Sequence, residues 1–221
     1  MHENEIKEVF FDARDDINYK LSDIIINNCE SFERPDIVSI ADNTVYAIEH
    51  FEYDWYKNNK KGSAYQIEEA MVSKKLHKEI LNKDVAYSLR IIESEGTIDY
   101  MIANFLKAYR NHYAKIDQYK YNVRQKYGTD NIKVWFVAEF TGGLEALTET
   151  ADGIRITHPL IFKEVADHIK NGDKIDGIVF VDHKHAMGIS RKMFTEQPFR
   201  NKESVKIVSA NHHAVSACFK V

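Results

Sequence analysis

The chain of 221 residues contains few of the residues that interrupt regular structure, with only three prolines and nine glycines. Proline removes a backbone donor and glycine weakens helices and strands, so their scarcity favours long regular elements and argues against linkers. Hydrophobic residues make up 44% of the chain, which is enough for a sizeable core. The sequence therefore predicts a single domain over residues 1–221, with a possible helical insertion at 55–95.

Cysteine and long apolar runs are also scarce. The two cysteines, Cys29 and Cys218, are too few for a disulfide framework or a zinc knuckle, and we expect two reduced thiols. Because no apolar run reaches about 18 residues, the sequence predicts no membrane-spanning segment. The acidic start lacks the basic-then-apolar order of a signal peptide. We therefore expect a cytoplasmic protein that has no membrane partner.

The charges are distributed unevenly along the chain. Residues 1–55 hold 14 acids and 4 bases, a net charge of −10, whereas the remainder holds 20 acids and 26 bases, a net charge of +6. The overall net charge of −4 excludes a protein that coats itself in nucleic acid. A local basic surface beside an acidic, metal-binding pocket is compatible with this distribution. So is an acidic protein-binding face that mimics nucleic acid.

A β-hairpin is the clearest short-range pattern in the sequence. Two apolar runs, Ile37–Ile40 and Val45–Ile48, are separated by the turn residues 41–43, Ala-Asp-Asn. Asp36 precedes the first run and Glu49 follows the second, so strand pairing brings the two carboxylates together. Neighbouring carboxylates repel unless they are solvated, protonated or bridged by a cation. The pattern predicts a site for Mg²⁺ or Mn²⁺ at Asp36 and Glu49.

Pro35-Asp36, the hairpin and Glu49-His50-Phe51 together resemble the PD-(D/E)-x-K signature of the restriction-endonuclease-like superfamily. The resemblance covers about twenty residues. It implies an α/β fold with a mixed central sheet flanked by helices, a restriction-endonuclease-like core with additional helices. It also implies that Asp36 and Glu49 bind the metal, and that the protein is a nuclease that hydrolyses phosphodiester bonds, which we expect to be those of DNA. The superfamily has a lysine where this chain has Phe51, so either the lysine has migrated or catalysis has been lost.

The long helix that periodicity predicts over Thr97–Tyr127 offers one replacement for the lysine. Gly128 follows as a C-cap. On this helix His112, Lys115 and Tyr119 share one edge beside the apolar stripe. In the superfamily the helix after the (D/E)-x-K strand packs near the site and is one place to which the lysine migrates. The resemblance therefore makes Lys115 the preferred substitute, with His112 as a candidate acid, base or phosphate donor.

Other basic residues are candidates for substrate contacts. A basic loop follows the hairpin and carries Lys57, Lys60 and Lys61. Each of these is an alternative to Lys115, a phosphate contact, or simply a solvated loop residue. The long helix adds Arg110 and Tyr119 to the expected nucleic-acid surface, because basic and aromatic side chains bind phosphates and bases.

The second strand of the hairpin carries two competing sets of polar residues. Strand alternation separates Glu49, Phe51 and Tyr53 on one face from His50, Glu52 and Asp54 on the other. We favour Glu49 because it lies nearest the buried run. His50 is a candidate metal ligand or a hydrogen-bonded structural histidine. Glu139, near the end of a strand predicted at 131–140, is a candidate for the same acid cluster or a solvated edge residue.

The remaining patterns complete an α/β order. Helices are predicted at 14–30, 64–81 and 159–170, strands at 176–182, 204–209 and 215–221, and a strand or a helix at 85–92. The C-terminal part also holds four histidines, His183, His185, His212 and His213.

Three functions are compatible with these patterns. The first is a metal-dependent nuclease acting on DNA. The second is a catalytically inactive protein of the same fold that binds nucleic acid or a protein partner, as an inhibitor, an assembly factor or a homodimer. The third is an enzyme that uses the C-terminal histidines with a transition metal. Fold alone does not choose among them, whereas the positions of Asp36, Glu49 and a lysine amine do.

Overall fold

The structure is a computed structural model that describes residues 2–17, 19–59, 62–83, 87–142, 147–150, 153–156, 159–182, 185–195, 206–207 and 211–219. Its α-helices within these ranges are α1 (Glu3–Asp12), α2 (Arg14–Ile17), α3 (Tyr19–Asn28), α4 (Ala64–Lys83), α5 (Ile98–Tyr113), α6 (Ile116–Tyr127) and α7 (Lys163–Asn171). Its strands there are β1 (Cys29–Ser31), β2 (Ile37–Ala41), β3 (Thr44–Tyr53), β4 (Asn58–Asn59), β5 (Gly62–Ser63), β6 (Tyr87–Glu95), β7 (Ile132–Phe140), β8 (Leu147–Thr150), β9 (Gly153–Ile156), β10 (Gly177–Asp182), β11 (His185–Ser190), β12 (Lys206–Ile207) and β13 (Asn211–Phe219).

The chain divides into two compact units. Unit 1 comprises Met1–Tyr53, Phe105–Thr141 and His158–Lys202. Unit 2 comprises Asp54–Asn104, Gly142–Thr157 and Glu203–Val221. The single domain with an insertion at 55–95 stays a prediction.

Unit 1 is built on a six-stranded mixed sheet with the order β1-β2-β3-β7-β10-β11. The strand pairs β3–β7 and β7–β10 are parallel, and the other three pairs are antiparallel. Helices α1 and α3 cover one face of the sheet around a core of Ile6, Phe10, Ile25, Ile37, Ile48 and Trp135. The opposite face carries stacked and edge-on rings of Phe51, Phe105, Tyr109, Phe136 and Phe180. The prediction of an α/β fold with a mixed sheet flanked by helices is confirmed.

The predicted hairpin is present as β2 and β3. A two-residue turn, Asp42-Asn43, joins the strands, and both residues have positive φ, 48° and 61°. Positive φ at both central positions is the conformation that matches the twist of the strands, and Asp and Asn tolerate it. The turn therefore fixes the strand register that the sequence predicts.

One predicted helix is interrupted within the described residues. The helix predicted over Thr97–Tyr127 is two helices, α5 and α6, with a break at Ala114 and Lys115. Lys115 keeps nearly helical dihedrals, φ −94° and ψ −3°, and its N–H bonds to the His112 carbonyl three residues back. Such a turn preserves the phase of the apolar pattern, so periodicity does not detect it. The helix predicted at 14–30 is α2 and α3, followed by β1.

Unit 2 is described by its own pairings. Strands β6 and β13 form an antiparallel pair, so the described part of the segment predicted at 85–92 belongs to a strand, and the last strand begins earlier than predicted. Strands β12, β8 and β9 form a second small sheet. Within this unit the Asn104 amide donates to the Asp54 carboxylate (2.8 Å) and to the Tyr56 carbonyl (2.8 Å). Asp54 is therefore a structural acid of unit 2.

None of the helices in the described ranges has the length and apolar character needed to cross a membrane.

Candidate metal centre at the hairpin

Asp36 and Glu49 are neighbours in unit 1. The antiparallel pairing of Ile37 with Ile48, continued by one residue, places Asp36 opposite Glu49. The backbone N–H of His50 donates to Asp36 Oδ2 at 2.8 Å, which holds the aspartate against β3. Strand pairing thus brings the two carboxylates together, as the sequence predicts.

The two carboxylate oxygens of Glu49 have different surroundings: one accepts hydrogen bonds and the other does not. Its side chain is buried, with 6% of the residue exposed. Oε1 accepts hydrogen bonds from Tyr119 Oη (2.6 Å) and from His112 Nδ1 (2.8 Å). Oε2 is buried and has no hydrogen-bond partner among the residues that the structure describes. Burying an unpaired carboxylate oxygen is unfavourable, so this atom requires a proton, a water or a cation.

The pKa values of Asp36 and Tyr119 are both raised from their ordinary values. Burial raises the pKa of the Asp36 carboxyl, and the nearby Glu49 charge raises it further, against the lowering effect of the His50 N–H. Burial and the hydrogen bond to Glu49 raise the pKa of Tyr119, so this hydroxyl stays protonated and remains a donor. A divalent cation beside Asp36 would oppose this shift by favouring the ionised carboxylate.

The position at which the superfamily has lysine belongs to the core. Phe51 is 4% exposed, and its ring packs against Phe105 and Phe136 with centroid distances of 5.7 Å in both cases. The His112 ring stacks on it at 5.3 Å. Phe51 thus supports the histidine that holds Glu49, and it contributes no charge.

The basic residues that the sequence proposes for the site lie elsewhere or are exposed. Lys115, expected on a buried edge beside the two acids, is exposed because it occupies the break between α5 and α6. Among the described residues its side chain has no ion pair or hydrogen bond with Asp36 or Glu49. Arg110 is exposed and bonds to His168 of α7. Lys57 is exposed in unit 2. Lys60 and Lys61 lie outside the described residues. The substrate-binding roles of these residues stay predictions.

Two members of the second polar set, His50 and Glu52, form a separate cluster with Glu139 on the opposite face of the sheet. His50 Nε2 lies 2.8 Å from Glu139 Oε2, and one ligand atom each of His50, Glu52 and Glu139 lies within 4.8 Å of the others. The sequence identifies these residues, but only the parallel register of β3 and β7 shows that they meet. Sequence analysis missed the acids of α1 that face the same cavity, Glu5, Glu8 and Asp12, because it assigned no helix to the first twelve residues.

The C-terminal histidines are distributed over both units. His185 begins β11 in unit 1, and His183 lies outside the described residues. His212 and His213 lie in β13 of unit 2. A site formed by the C-terminal histidines stays a prediction.

Comparison of the chain with known proteins assigns it to no family. Protein-family models, curated proteins and solved structures give no match to it. The interpretation of the centre therefore depends on the chemistry of its own residues.

Proposed function

We propose that the protein is a metal-dependent nuclease whose metal is held by Asp36 and Glu49. The observation that carries the proposal is Glu49 Oε2, a buried carboxylate oxygen with no partner among the described residues and with a second acid beside it. Tyr119 and His112 occupy the other oxygen and so orient the carboxylate. Mg²⁺ favours one or two carboxylates together with water and substrate phosphate, which fits this donor set.

The order of elements around the centre supports a restriction-endonuclease-like core. A short strand, β1, precedes Pro35-Asp36, where the superfamily usually has one. The helices after β3 supply His112 and Tyr119 to Glu49, and the superfamily likewise packs a helix near its site. These two features support the proposal that the resemblance reaches beyond the hairpin.

The chemistry follows from the donors. A divalent ion at this position would polarise the phosphodiester and lower the pKa of a bound water. Asp36 and Glu49 would hold the ion, with the His50 N–H fixing the aspartate. Tyr119 and His112 would prevent Glu49 from rotating as charge develops.

The second candidate is a catalytically inactive protein of the same fold that binds nucleic acid or a protein partner. The observation that favours it is the combination of a buried Phe51 with an exposed Lys115. In the described part of the chain, no lysine amine pairs with either acid of the centre.

Calorimetric titration with Mg²⁺ and Mn²⁺, combined with a plasmid-nicking assay, distinguishes the two. The variants are Asp36→Asn and Glu49→Gln, with Glu33→Gln as a control because Glu33 is an exposed acid near the hairpin. A nuclease of this kind binds Mg²⁺ and nicks DNA as wild type and as Glu33→Gln, and loses both properties in the other two variants. Metal binding without nicking would support the inactive protein. If the wild type neither binds metal nor nicks DNA, the proposed centre is wrong.

A further inference from the structure

A cavity of about 550 Å³ opens on the face of the sheet opposite Glu49, within unit 1. It is lined by Glu5, Glu8, Val9, Asp12, His50, Glu52, Glu139, Val181, Asp182, His185 and Ala186. Six of these residues are acids and two are histidines, and none of the described lining residues is Lys or Arg. The proposed nuclease centre uses none of their side chains.

Three of the lining side chains converge because of the strand register. Glu52 of β3 pairs directly with Glu139 of β7 in the parallel ladder, so the two carboxylates stand side by side. His50 precedes Glu52 by two residues and therefore shares its face. The result is one imidazole nitrogen and two carboxylate oxygens within 4.8 Å of one another.

The donor geometry suits a metal ion. His50 Nε2 and Glu139 Oε2 are 2.8 Å apart, and adjacent ligands of a tetrahedral ion with bonds of about 2.1 Å are separated by about 3.4 Å. A small outward movement of either side chain would admit the ion in place of their hydrogen bond. Directly paired like charges such as Glu52 and Glu139 are destabilising without a cation. The imidazole of His50 gives the cluster a nitrogen donor, which sites for hard cations such as Mg²⁺ and Ca²⁺ usually lack.

We propose that His50, Glu52 and Glu139 bind a divalent transition-metal ion, with Zn²⁺ as the probe. Imidazole favours zinc and its neighbours in the first transition row, whereas magnesium and calcium favour sites made wholly of oxygen. Asp182 and His185 line the same cavity. This site is separate from the Asp36–Glu49 centre, because side chains at consecutive positions of β3 point to opposite faces.

The test is a Zn²⁺ titration by calorimetry, with Co²⁺ absorption spectra as a second readout of nitrogen and oxygen ligation. We expect one tight site in the wild type that weakens by at least about tenfold in His50→Asn, Glu52→Gln and Glu139→Gln. Two controls should retain it. Glu8→Gln removes an acid of the same cavity outside the cluster, and Glu49→Gln alters the opposite face. The His50→Asn substitution leaves the backbone N–H that bonds to Asp36 in place.

Thermal unfolding with and without Zn²⁺ separates loss of metal binding from a general loss of stability in a variant. Without metal, Glu52→Gln removes one of two paired like charges, so its unfolding midpoint should equal or exceed that of the wild type. With saturating Zn²⁺ the order should reverse, because only the wild type gains full binding energy. Equal Zn²⁺ affinity in the wild type and the cluster variants would overturn the proposal, as would the absence of a Zn²⁺ site in the wild type. A wild type that binds Zn²⁺ but not Mg²⁺ would overturn the Asp36–Glu49 centre and not this one.

Discussion

The hydroxyl of Tyr119 is the single donor whose removal most directly tests how Glu49 is held. Tyr119 is 1% exposed, and its hydroxyl donates to Glu49 Oε1 at 2.6 Å. Tyr119→Phe leaves a buried carboxylate with one donor fewer, so we expect a loss of about 1–3 kcal/mol in the free energy of unfolding. Urea denaturation measures this loss. The matched control is Tyr121→Phe, because Tyr121 is 52% exposed on the same helix and should change stability by less than about 0.5 kcal/mol. Equal losses in the two variants would contradict the prediction.

Restoring the lysine of the signature at position 51 should damage the protein. Phe51 packs among Phe105, Phe136 and His112 in the core, and a lysine there would lose ring contacts and bury an ammonium. We expect Phe51→Lys to lower the free energy of unfolding by about 3 kcal/mol or more, measured by urea denaturation. Phe51→Leu, which stays apolar, should lose roughly 2 kcal/mol or less. A Phe51→Lys variant as stable as the wild type would show that this position can reach solvent.

At the scale of elements, α1 is fastened to β1 by one acid. Glu3 Oε1 accepts from the Ser31 backbone N–H (2.8 Å) and from Ser31 Oγ (2.9 Å), and these bonds lower the pKa of Glu3 below its ordinary value of 4.5. A lowered pKa means that the ionised form stabilises the fold above the ordinary value. This contribution is lost as the pH falls through the lowered pKa.

Glu3→Gln separates the charge from the hydrogen bonds, because glutamine still accepts through its carbonyl. We expect the wild type to unfold at a higher temperature than Glu3→Gln at about pH 6, and the difference to shrink as the pH falls below 4.5 and through the lowered pKa. Thermal unfolding monitored by circular dichroism over this pH range measures it. Glu8→Gln, an exposed acid on the same helix, controls for the loss of one negative charge. A difference that persists unchanged at low pH would show that charge is not involved.

Local sequence patterns specify some elements of unit 1 and leave others undetermined. The hairpin was predictable because Asp42-Asn43 encodes its turn locally, and its register then follows. The break at Lys115 was not predictable, because the apolar residues keep the same helical spacing on both sides of it. The pairing of Glu52 with Glu139 depends on a parallel contact between strands some 87 positions apart in sequence, which no local pattern specifies. Local chemistry therefore predicted Asp36 and Glu49 as neighbours, and only the fold revealed the cluster around His50.

At the scale of the whole molecule, one sheet carries acidic centres on both faces. Consecutive residues of β3, Glu49 and His50, belong to different centres, and Asp36 touches the backbone between them through the His50 N–H. The first 55 residues hold a net charge of −10, and much of that charge is collected at these two faces. Cation binding at the two proposed centres would account for part of this uneven charge.

Cation binding to the native state should stabilise the segments that hold the ion. Binding at a concentration of 100 times Kd contributes about 2.7 kcal/mol to the free energy of unfolding. We therefore expect saturating Mg²⁺ to slow amide hydrogen exchange most in β2, β3 and the segment of α5 and α6 that contains His112 and Tyr119, as measured by mass spectrometry. The β6–β13 pair of unit 2, which supplies no ligand to the proposed centre, is the internal reference.

Glu49→Gln is the control for this exchange experiment. It keeps an acceptor for Tyr119 and His112 but removes the charge that a divalent ion requires, so Mg²⁺ should no longer slow exchange in β2 and β3. Slowing that persists in Glu49→Gln, or that is greatest in β6 and β13, would place the Mg²⁺ ion away from the hairpin. In the wild type, slower amide exchange confined to the hairpin and to α5 and α6 would indicate that the ion binds there. If this effect is absent in Glu49→Gln, the ion must bind beside Glu49 Oε2.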